Sequence, residues 1–472
     1  MELSEYFIER IKRQYTDHTD FLSAISKEPN SSVRINTHKV DNIPSVLRRF
    51  LPAIGKGVEW CQEAYYLEQR PNYTLNPLFH AGCFYPQESS SMFLHHVLRS
   101  IEEEVPQSPI VLDLCAAPGG KSTLMLSWLN GRGFLVANEV VRNRAWILRE
   151  NIAKWGAPNA IVTNLMPKEL RERGVINADV MLIDAPCSGE GMFRKDEKAI
   201  TEWTSQRASE CAERQRDIVA EVWPMLKKGG FLIYSTCTFN PAENQENIAW
   251  IMDNYDVTPI ELKLPDSWGV TIVESKSAEG VVAHGYSFLP HKVAGEGFFI
   301  CVMRKNDGRE AKSPKGKIAV KKADQRYLGV LKGDMIGYVI TDDDQIVAMP
   351  EGVAPQMYAV AKRTDALWCG VAVGQLVKKD MVWAPELPLS ESYTPNGIQQ
   401  VELDERQALE FLHGNTPEID TSALSNGRIV VTYANIPLGM VNRVGANSSV
   451  RLNNCYPKEW RIKMNIDNGR VH

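Results

Sequence analysis

Two cysteines stand where covalent chemistry can be done. Cys187 lies in Asp184-Ala-Pro-Cys-Ser-Gly189, and Cys237 lies in Tyr234-Ser-Thr-Cys-Thr238. Each stretch follows an apolar run, Val180 to Ile183 and Phe231 to Ile233, that reads as a strand buried on both faces. Ligands of open α/β sheets bind just outside the carboxyl ends of the strands, so Asp184 and both thiols are expected to converge on one site. A third strand end, Ile110 to Leu114, runs into Cys115-Ala116-Ala117-Pro118-Gly119-Gly120-Lys121. Gly119 and Gly120 carry no Cβ and so permit a sharp turn and close approach of a ligand. A helix from Lys121 onward would point unpaired backbone N–H groups at that turn.

Three ligands compete for the turn, beside the bland alternative of an ordinary strand-helix corner. A P-loop needs G-x-x-x-x-G-K-[ST], and Gly120-Lys121-Ser122 fits its end, but Cys115 stands where the first glycine belongs. The G-x-G-x-x-G spacing of a dinucleotide site is absent. An S-adenosylmethionine pocket fits best. The segment Gly133 to Glu139 reads as the next strand, and it ends in an acid about twenty residues on, where ribose hydroxyls are held.

A methyl donor needs a thiol only for a poor nucleophile. Carbon-5 of a pyrimidine attacks nothing until a thiolate adds to carbon-6 and makes it an enamine carbon. A carboxyl group at ring nitrogen 3 stabilises the developing charge. The carbon-5 proton must then leave and the thiol be eliminated, which gives a second cysteine or a nearby acid-base group something to do.

The elements needed to position these groups are legible. From about 105 to 305, strands alternate with helices, the pattern of a mostly parallel sheet covered on both faces. Arg142 to Trp155 is a helix with Ala145, Leu148, Ile152 and Trp155 at helical spacing, stopped by Gly156. Ala160 to Thr163 is a third strand, and Gly297 to Met303 is a last one. A long helix is expected over Gln206 to Lys228, kinked at Pro224. Residues 1–100 open with a helix from Tyr6 to Tyr15, and their serine cluster before Met92 reads as the N-cap of another helix. Residues 306–325 read as a basic linker within the Lys- and Arg-rich run that starts at Arg304. Residues 326–472 carry short alternating runs typical of a β-rich module with some helix. Their end sets Tyr456 and Trp460 among Arg451, Lys458, Arg461 and Lys463, a mixture that suits single-stranded RNA or a solvated edge.

At 472 residues the chain has room for about three domains. Its net charge of -5 argues against wholesale electrostatic binding of nucleic acid, so any such surface is a local patch. No run approaches the about eighteen apolar residues of a membrane span, and the start is no signal peptide, so a cytoplasmic protein is expected. The nine cysteines lie no closer than 22 residues apart, which excludes C-x-x-C and the usual zinc spacings, and no metal is expected.

These motifs together resemble the Sun/Nop/Nol family of RNA cytosine carbon-5 methyltransferases. Residues 114–121, 184–189 and 235–238 are similar to its motifs, as are Val33-Arg-Ile-Asn36 and Tyr85-Pro-Gln-Glu-Ser-Ser90. The tail from about 326 resembles the C-terminal extension of the bacterial RsmF-like branch, whose last part is a PUA-like RNA-binding module. The resemblance implies a Rossmann-like S-adenosyl-L-methionine-dependent domain over 101–305, an N-terminal RNA-recognition extension over 1–100 and a PUA-like region over 326–472. It also implies a monomer that acts on small-subunit (16S) ribosomal RNA or the 30S subunit, with tRNA the runner-up, and a non-catalytic RNA-binding factor the rival from another class. It addresses a choice that chemistry leaves open. DNA cytosine methyltransferases use the Pro-Cys cysteine, here Cys187, whereas in this RNA family the nucleophile is the Thr-Cys cysteine, here Cys237, and Cys187 helps release product. By the same resemblance residues 115–121 hold the methionine part, Glu139 the ribose, Asp184 the cofactor amine and the base, and Lys121 shares in the proton chemistry. The family's usual acid after the third strand is missing, and Asn164 stands in its place as the expected partner of the adenine amino group.

Overall fold

The computed structural model describes residues 3–40, 51, 54–173, 176–308, 318–340, 344–378, 380–446 and 449–464. A ten-stranded sheet organises it. Five parallel strands, β1 (Ile110–Asp113), β2 (Phe134–Asn138), β3 (Ala160–Thr163), β4 (Ala178–Asp184) and β5 (Leu226–Thr236), lie in the order β3-β2-β1-β4-β5. Beyond β5 the sheet continues antiparallel through β8 (Phe298–Lys305), β7 (Val282–Phe288) and β6 (Thr271–Lys276). Successive residues of one strand face opposite sides. Val111, Leu135 and Val180 therefore enter one core, while Leu112, Val136 and Met181 enter the other. The chain order reverses between β1 and β4, and a crevice at such a reversal is where α/β sheets bind ligands.

Helices α1 (Gly120–Leu129), α2 (Arg142–Trp155) and α3 (Ser205–Val222) flank the sheet. Ala145, Leu148, Ile152 and Trp155 of α2 are buried, and the larger Leu148, Ile152 and Trp155 contribute about 2 kcal/mol each. Gly156 ends α2 in the left-handed region at φ +91°, and it also gives room: a Cβ there would come within 2.2 Å of the Leu389 carbonyl. Downstream of the sheet, Trp368–Cys369 pairs antiparallel with β3 and covers an edge that would otherwise be open.

Residues on the amino side form a four-stranded sheet, Ile54–Val58, Cys61–Leu67, Ser31–Ile35 and Phe84–Pro86, preceded by helices Glu5–Gln14 and His18–Ile25. Phe7, Ile11 and Phe21 of those helices share a core with Phe193, Trp203 and Phe239, next to the loops that carry Cys187 and Cys237. The carboxyl side holds two further four-stranded sheets and the helices Ala354–Thr364 and Glu405–His413. Val33, Ala153 and Phe411 lie in one core, so the three parts of the chain pack together.

Four expectations are corrected. The long helix ends at Val222, because Pro224 lacks an N–H and restricts the residue before it. A short 3-10 turn follows, and Lys227 to Gly230 belong to β5. The serine cluster is not a side-chain cap: Ser90–Phe93 is a 3-10 turn whose Ser90 and Ser91 N–H groups donate to the Glu88 carboxylate at 2.9 Å each. Of the basic run, Arg304 and Lys305 are the end of β8, with Lys305 Nζ buried and donating to the carbonyls of Trp223 and Leu226. Residues 309–317 of the expected linker lie outside the described residues. Tyr456 and Trp460 are core residues, 2% and 5% exposed, with the Tyr456 ring 5.4 Å from that of Phe411, so they offer no stacking platform to RNA.

Candidate active site

The glycine turn is held from outside. Arg144 donates to the Ala117 carbonyl and Asn151 to that of Pro118, both at 2.8 Å, and the Thr123 N–H donates to that of Gly119. Arg34, buried and reaching in from the amino-side sheet, donates to the Gly120 carbonyl at 3.2 Å and to Thr123 Oγ1. With its carbonyls occupied, the turn presents its N–H edge and the unpaired first-turn N–H groups of α1 to a ligand. Gly119 takes φ +117°, which only glycine adopts without strain.

Sequence reasoning passed over Asp113, the acid inside the apolar run of β1. It is fully buried, Ser122 donates to its Oδ2 at 2.6 Å, and its Oδ1 is buried with no hydrogen-bond partner. Burial pushes its carboxyl up to about 7. An orphaned carboxylate oxygen beside the turn fits a cofactor that brings an ammonium and N–H donors.

Around the rim, the buried Glu139 accepts from the Val141 N–H at 2.9 Å and stands 3.5 Å from Arg144. Asn164 donates through Nδ2 to the carbonyls of Glu139 and Val140, at 2.6 and 3.0 Å, which leaves Oδ1 as the amide's acceptor. Val140 and Met166 expose apolar side chains beside it, 43% and 56% accessible, although each borders a buried strand end. For Val140 the signal in the sequence was an apolar residue directly after the rim acid Glu139.

The two thiols meet. Cys187 Sγ and Cys237 Sγ are 3.2 Å apart, at the ends of β4 and β5. Beside them Lys121 Nζ donates to Asp184 Oδ2 at 2.9 Å, and Ser235 Oγ donates to Asp184 Oδ1 at 2.8 Å. Burial lowers the Lys121 ammonium, but the charges of Asp184, Cys237 and Asp113 outweigh it and hold Lys121 above the usual lysine value. The hydrogen bond with Cys237, then burial, pushes the Cys187 thiol well up. A cavity of about 510 Å³ opens beside Cys187, with Arg207 and Arg214 in its wall.

The family model described as 16S rRNA methyltransferase RsmB/F matches residues 97–304. Two more, the N-terminal domain of 16S rRNA methyltransferase RsmF and the RsmF PUA domain, match residues 3–89 and 399–462. The chain belongs to the RsmB/F methyltransferase family. It is 28% identical to ribosomal RNA small subunit methyltransferase F of Shewanella sp. (strain ANA-3), with 97% of each chain covered. It is also 28% identical to the protein of that name from Escherichia coli (strain SE11), covering 93% of this chain and 92% of that one. Among solved structures it is similar to a methyltransferase homolog from Pyrococcus horikoshii, with TM-score 0.50 and 26% identity over 64% of this chain and 100% of that one. The fold is also that of NSun6 from Pyrococcus horikoshii, solved with SFG, with TM-score 0.53 and 21% identity over 65% and 99% of the chains. As a member of this family the protein is an S-adenosyl-L-methionine-dependent RNA methyltransferase.

In this RsmB/F chain the two cysteine loops are fixed by buried acids that no motif announced. Glu243 accepts from the Ser188 N–H at 2.8 Å, from Ser188 Oγ and from Gln215 Nε2. Glu190 accepts from the Phe239 N–H and from the Trp203 indole, both at 3.1 Å, and pairs with Arg10 at 2.7 Å. Gln14 donates to the Phe239 carbonyl at 2.8 Å, so the first helix braces the Cys237 loop. The Gly191 N–H donates to the Cys237 carbonyl, which ties one cysteine loop to the other.

Burial pushes the Glu243 carboxyl from 4.5 to about 7, against the hydrogen bonds from Ser188. The folded state therefore holds this proton more tightly than the unfolded state. Its contribution favours folding most below pH 4.5 and is lost as pH rises toward 7. At about 1.4 kcal/mol for each intervening pH unit the loss is about 3 kcal/mol. Glu243→Gln removes the titration and is expected to flatten the fall in unfolding free energy across this window, as read by urea denaturation at pH 5, 6 and 7. An unchanged slope would show that Glu243 does not carry it.

Proposed function

We propose that this methyltransferase forms 5-methylcytosine in small-subunit ribosomal RNA, with Cys237 as nucleophile and Cys187 releasing the product. The observation that carries the reading is the pair of sulfurs 3.2 Å apart beside the Lys121–Asp184 ion pair, since methyl transfer to nitrogen or oxygen has no use for two thiols. The Cys237 thiolate adds to carbon-6 of the cytosine, with the Lys121 ammonium near enough to stabilise its charge. Asp184, held by Lys121 and Ser235, faces ring nitrogen 3. It passes to that nitrogen a proton from the Lys121 ammonium as the thiolate adds, and takes the proton back when the ring regains aromaticity. Residues 115–121 would hold S-adenosylmethionine, whose sulfonium would supply an electrophilic methyl group to carbon-5 and depart as the neutral thioether. Cys187, having given its own thiol proton to solvent, then takes the carbon-5 proton as a thiolate. That electron pair re-forms the 5,6 double bond as the Cys237–carbon-6 bond breaks, and the Cys237 thiolate is restored. Asp113 and the turn N–H groups hold the methionine part, Glu139 the ribose, and Asn164 Oδ1 with Val140 the adenine.

The 28%-identical relatives named for the small ribosomal subunit support that substrate, and the match to the PUA domain supports its recognition through the carboxyl side. No described helix is long and apolar enough to cross a membrane. In this reading the protein works in the cytoplasm as a monomer, on 30S subunits or on their RNA. Labelled S-adenosylmethionine is offered with isolated 30S subunits, deproteinised 16S RNA and bulk tRNA. Label is expected in the ribosomal material, located as 5-methylcytosine. Label in tRNA alone would keep the chemistry and overturn the substrate, and no label anywhere would favour a binding factor.

A further inference from the structure

Away from the catalytic crevice, three unlike side chains converge where the amino-side sheet meets the helix Leu94–Ile101. Cys61 and Glu63 are two apart on the strand Cys61–Leu67 and so face the same side of it. His95 comes from the helix. Cys61 Sγ, Glu63 Oε2 and a His95 ring nitrogen lie within 4.8 Å of one another. The His95 Nε2 to Glu63 Oε2 separation is 3.7 Å and that from Cys61 Sγ to Glu63 Oε2 is 3.9 Å.

We propose that Cys61, Glu63 and His95 form a zinc site that fastens the amino-side sheet to this helix. A nitrogen and an oxygen 3.7 Å apart are too far for a good hydrogen bond, which sits near 2.7–3.2 Å. The Cys61 thiol donates a long hydrogen bond to Glu63, and Glu63 and His95 face each other without one, so the three groups converge on only one weak mutual bond. An ion between them at about 2.0–2.3 Å from each needs ligand separations of about 3.3–3.7 Å. The two Glu63 separations, 3.7 and 3.9 Å, stand within a few tenths of an ångström of that, and the Cys61 and His95 donors, within 4.8 Å, close in as the ion binds. The imidazole is oriented for this. His95 Nδ1 lies 3.3 Å from the Trp60 carbonyl, so Nδ1 carries the hydrogen and Nε2 turns its lone pair toward Glu63. A backbone carbonyl on the far ring nitrogen is the usual partner of a metal-bound histidine. The Trp60 indole in turn donates to the Ser89 carbonyl at 2.7 Å, which anchors that backbone.

The donor set names the metal class. Sulfur, nitrogen and one carboxylate oxygen suit zinc and not magnesium or calcium, which take oxygen ligands. On binding, the Cys61 thiol gives its proton to solvent, and thiolate plus carboxylate neutralise the dication next to Arg34 and Arg99. The side chains of His95 and Glu63 are 17% and 30% exposed, so an ion has an entry path and a water can fill the fourth position. A search for cysteine spacing misses the site because its ligands are one strand pair and one helix residue.

The test uses the full-length protein, stripped with chelator and titrated first with cobalt(II) and then with zinc. One equivalent of cobalt is expected, with the near-ultraviolet absorption of a thiolate bound to it, and zinc is expected to displace it and raise the melting temperature. Glu63→Gln and His95→Gln preserve the packing, and each is expected to weaken binding by more than about 100-fold, beyond the loss of a supporting hydrogen bond. A Cys187→Ser/Cys237→Ser double variant should retain the signal. Absence of a tight equivalent in the wild type would overturn the site. So would a signal that survives His95→Gln but disappears in the double variant, which would place the ion on the crevice thiols.

Discussion

Cys237→Ala is expected to reduce methyl transfer by at least about 10⁴-fold while leaving the Kd for S-adenosylmethionine within about twofold of wild type. The two effects separate because of where the sulfur is. The residues proposed to hold the cofactor, 115–121, Asp113, Glu139 and Asn164, are fixed by Arg34, Arg144, Asn151 and Ser122, and none of those hydrogen bonds passes through Cys237. The backbone of residue 237 is also secured independently of its side chain, since its carbonyl accepts from the Gly191 N–H. Truncation therefore removes the nucleophile and leaves its loop in place. Without a thiolate at carbon-6, carbon-5 of cytosine has no electron density to offer a methyl sulfonium, and neither orientation nor proximity replaces it. Steady-state transfer to the RNA that proves to be substrate, measured beside calorimetric titration of the cofactor, checks both halves. Activity within tenfold of wild type would remove Cys237 as nucleophile and return Cys187 to that role.

How far the sequence foretold this site depends on whether the determining interactions are local. Helix Arg142–Trp155 and strand Ala160–Thr163 were legible to the residue, because an apolar stripe at helical spacing, a left-handed glycine stop and an apolar strand run are all local patterns. The meeting of Cys187, Cys237 and Asp184 was also legible, since strand ends of a parallel sheet share one crevice, while the part of Lys121 came from the family resemblance. Lys227 to Gly230 were misread because two lysines and two glycines look like a helix end, while their place in β5 comes from their flanks. Leu226 pairs with Ala178 and Phe231 with Val180 of β4, and the four residues form the irregularity between those pairs. Tyr456 and Trp460 were misread for the opposite reason. Basic neighbours suggest solvent, but Phe411, far along the chain, buries the Tyr456 ring beside Trp460. The clasp of Glu190 by Arg10 and of Ser188 by Glu243 joins residues 180 and 55 positions apart, and no pattern in one sequence records such pairs.

Cys187→Ala is expected to do something Cys237→Ala cannot, namely to accumulate protein covalently joined to RNA. The nucleophile and the Lys121–Asp184 pair remain, so addition to carbon-6 and a first methyl transfer proceed near the wild-type rate, and turnover then stops at about one methyl group per protein. The reason lies in what raises the Cys187 thiol. Its largest cause is the hydrogen bond with Cys237. Once Cys237 is bonded to carbon-6 its sulfur carries no charge, so the largest cause weakens while burial and Glu243 continue to raise the thiol. Cys187 becomes easier to deprotonate at the step that needs a base for the carbon-5 proton. An alanine has nothing to offer there, and the adduct outlives the methyl transfer. Denaturing electrophoresis with labelled RNA should show a slow-migrating species in Cys187→Ala that is missing from Cys187→Ala/Cys237→Ala, and rapid quench should show a burst of near wild-type rate. Loss of the burst together with the adduct would mean that Cys187 acts before methyl transfer, as part of the addition step, and would overturn its assignment to product release.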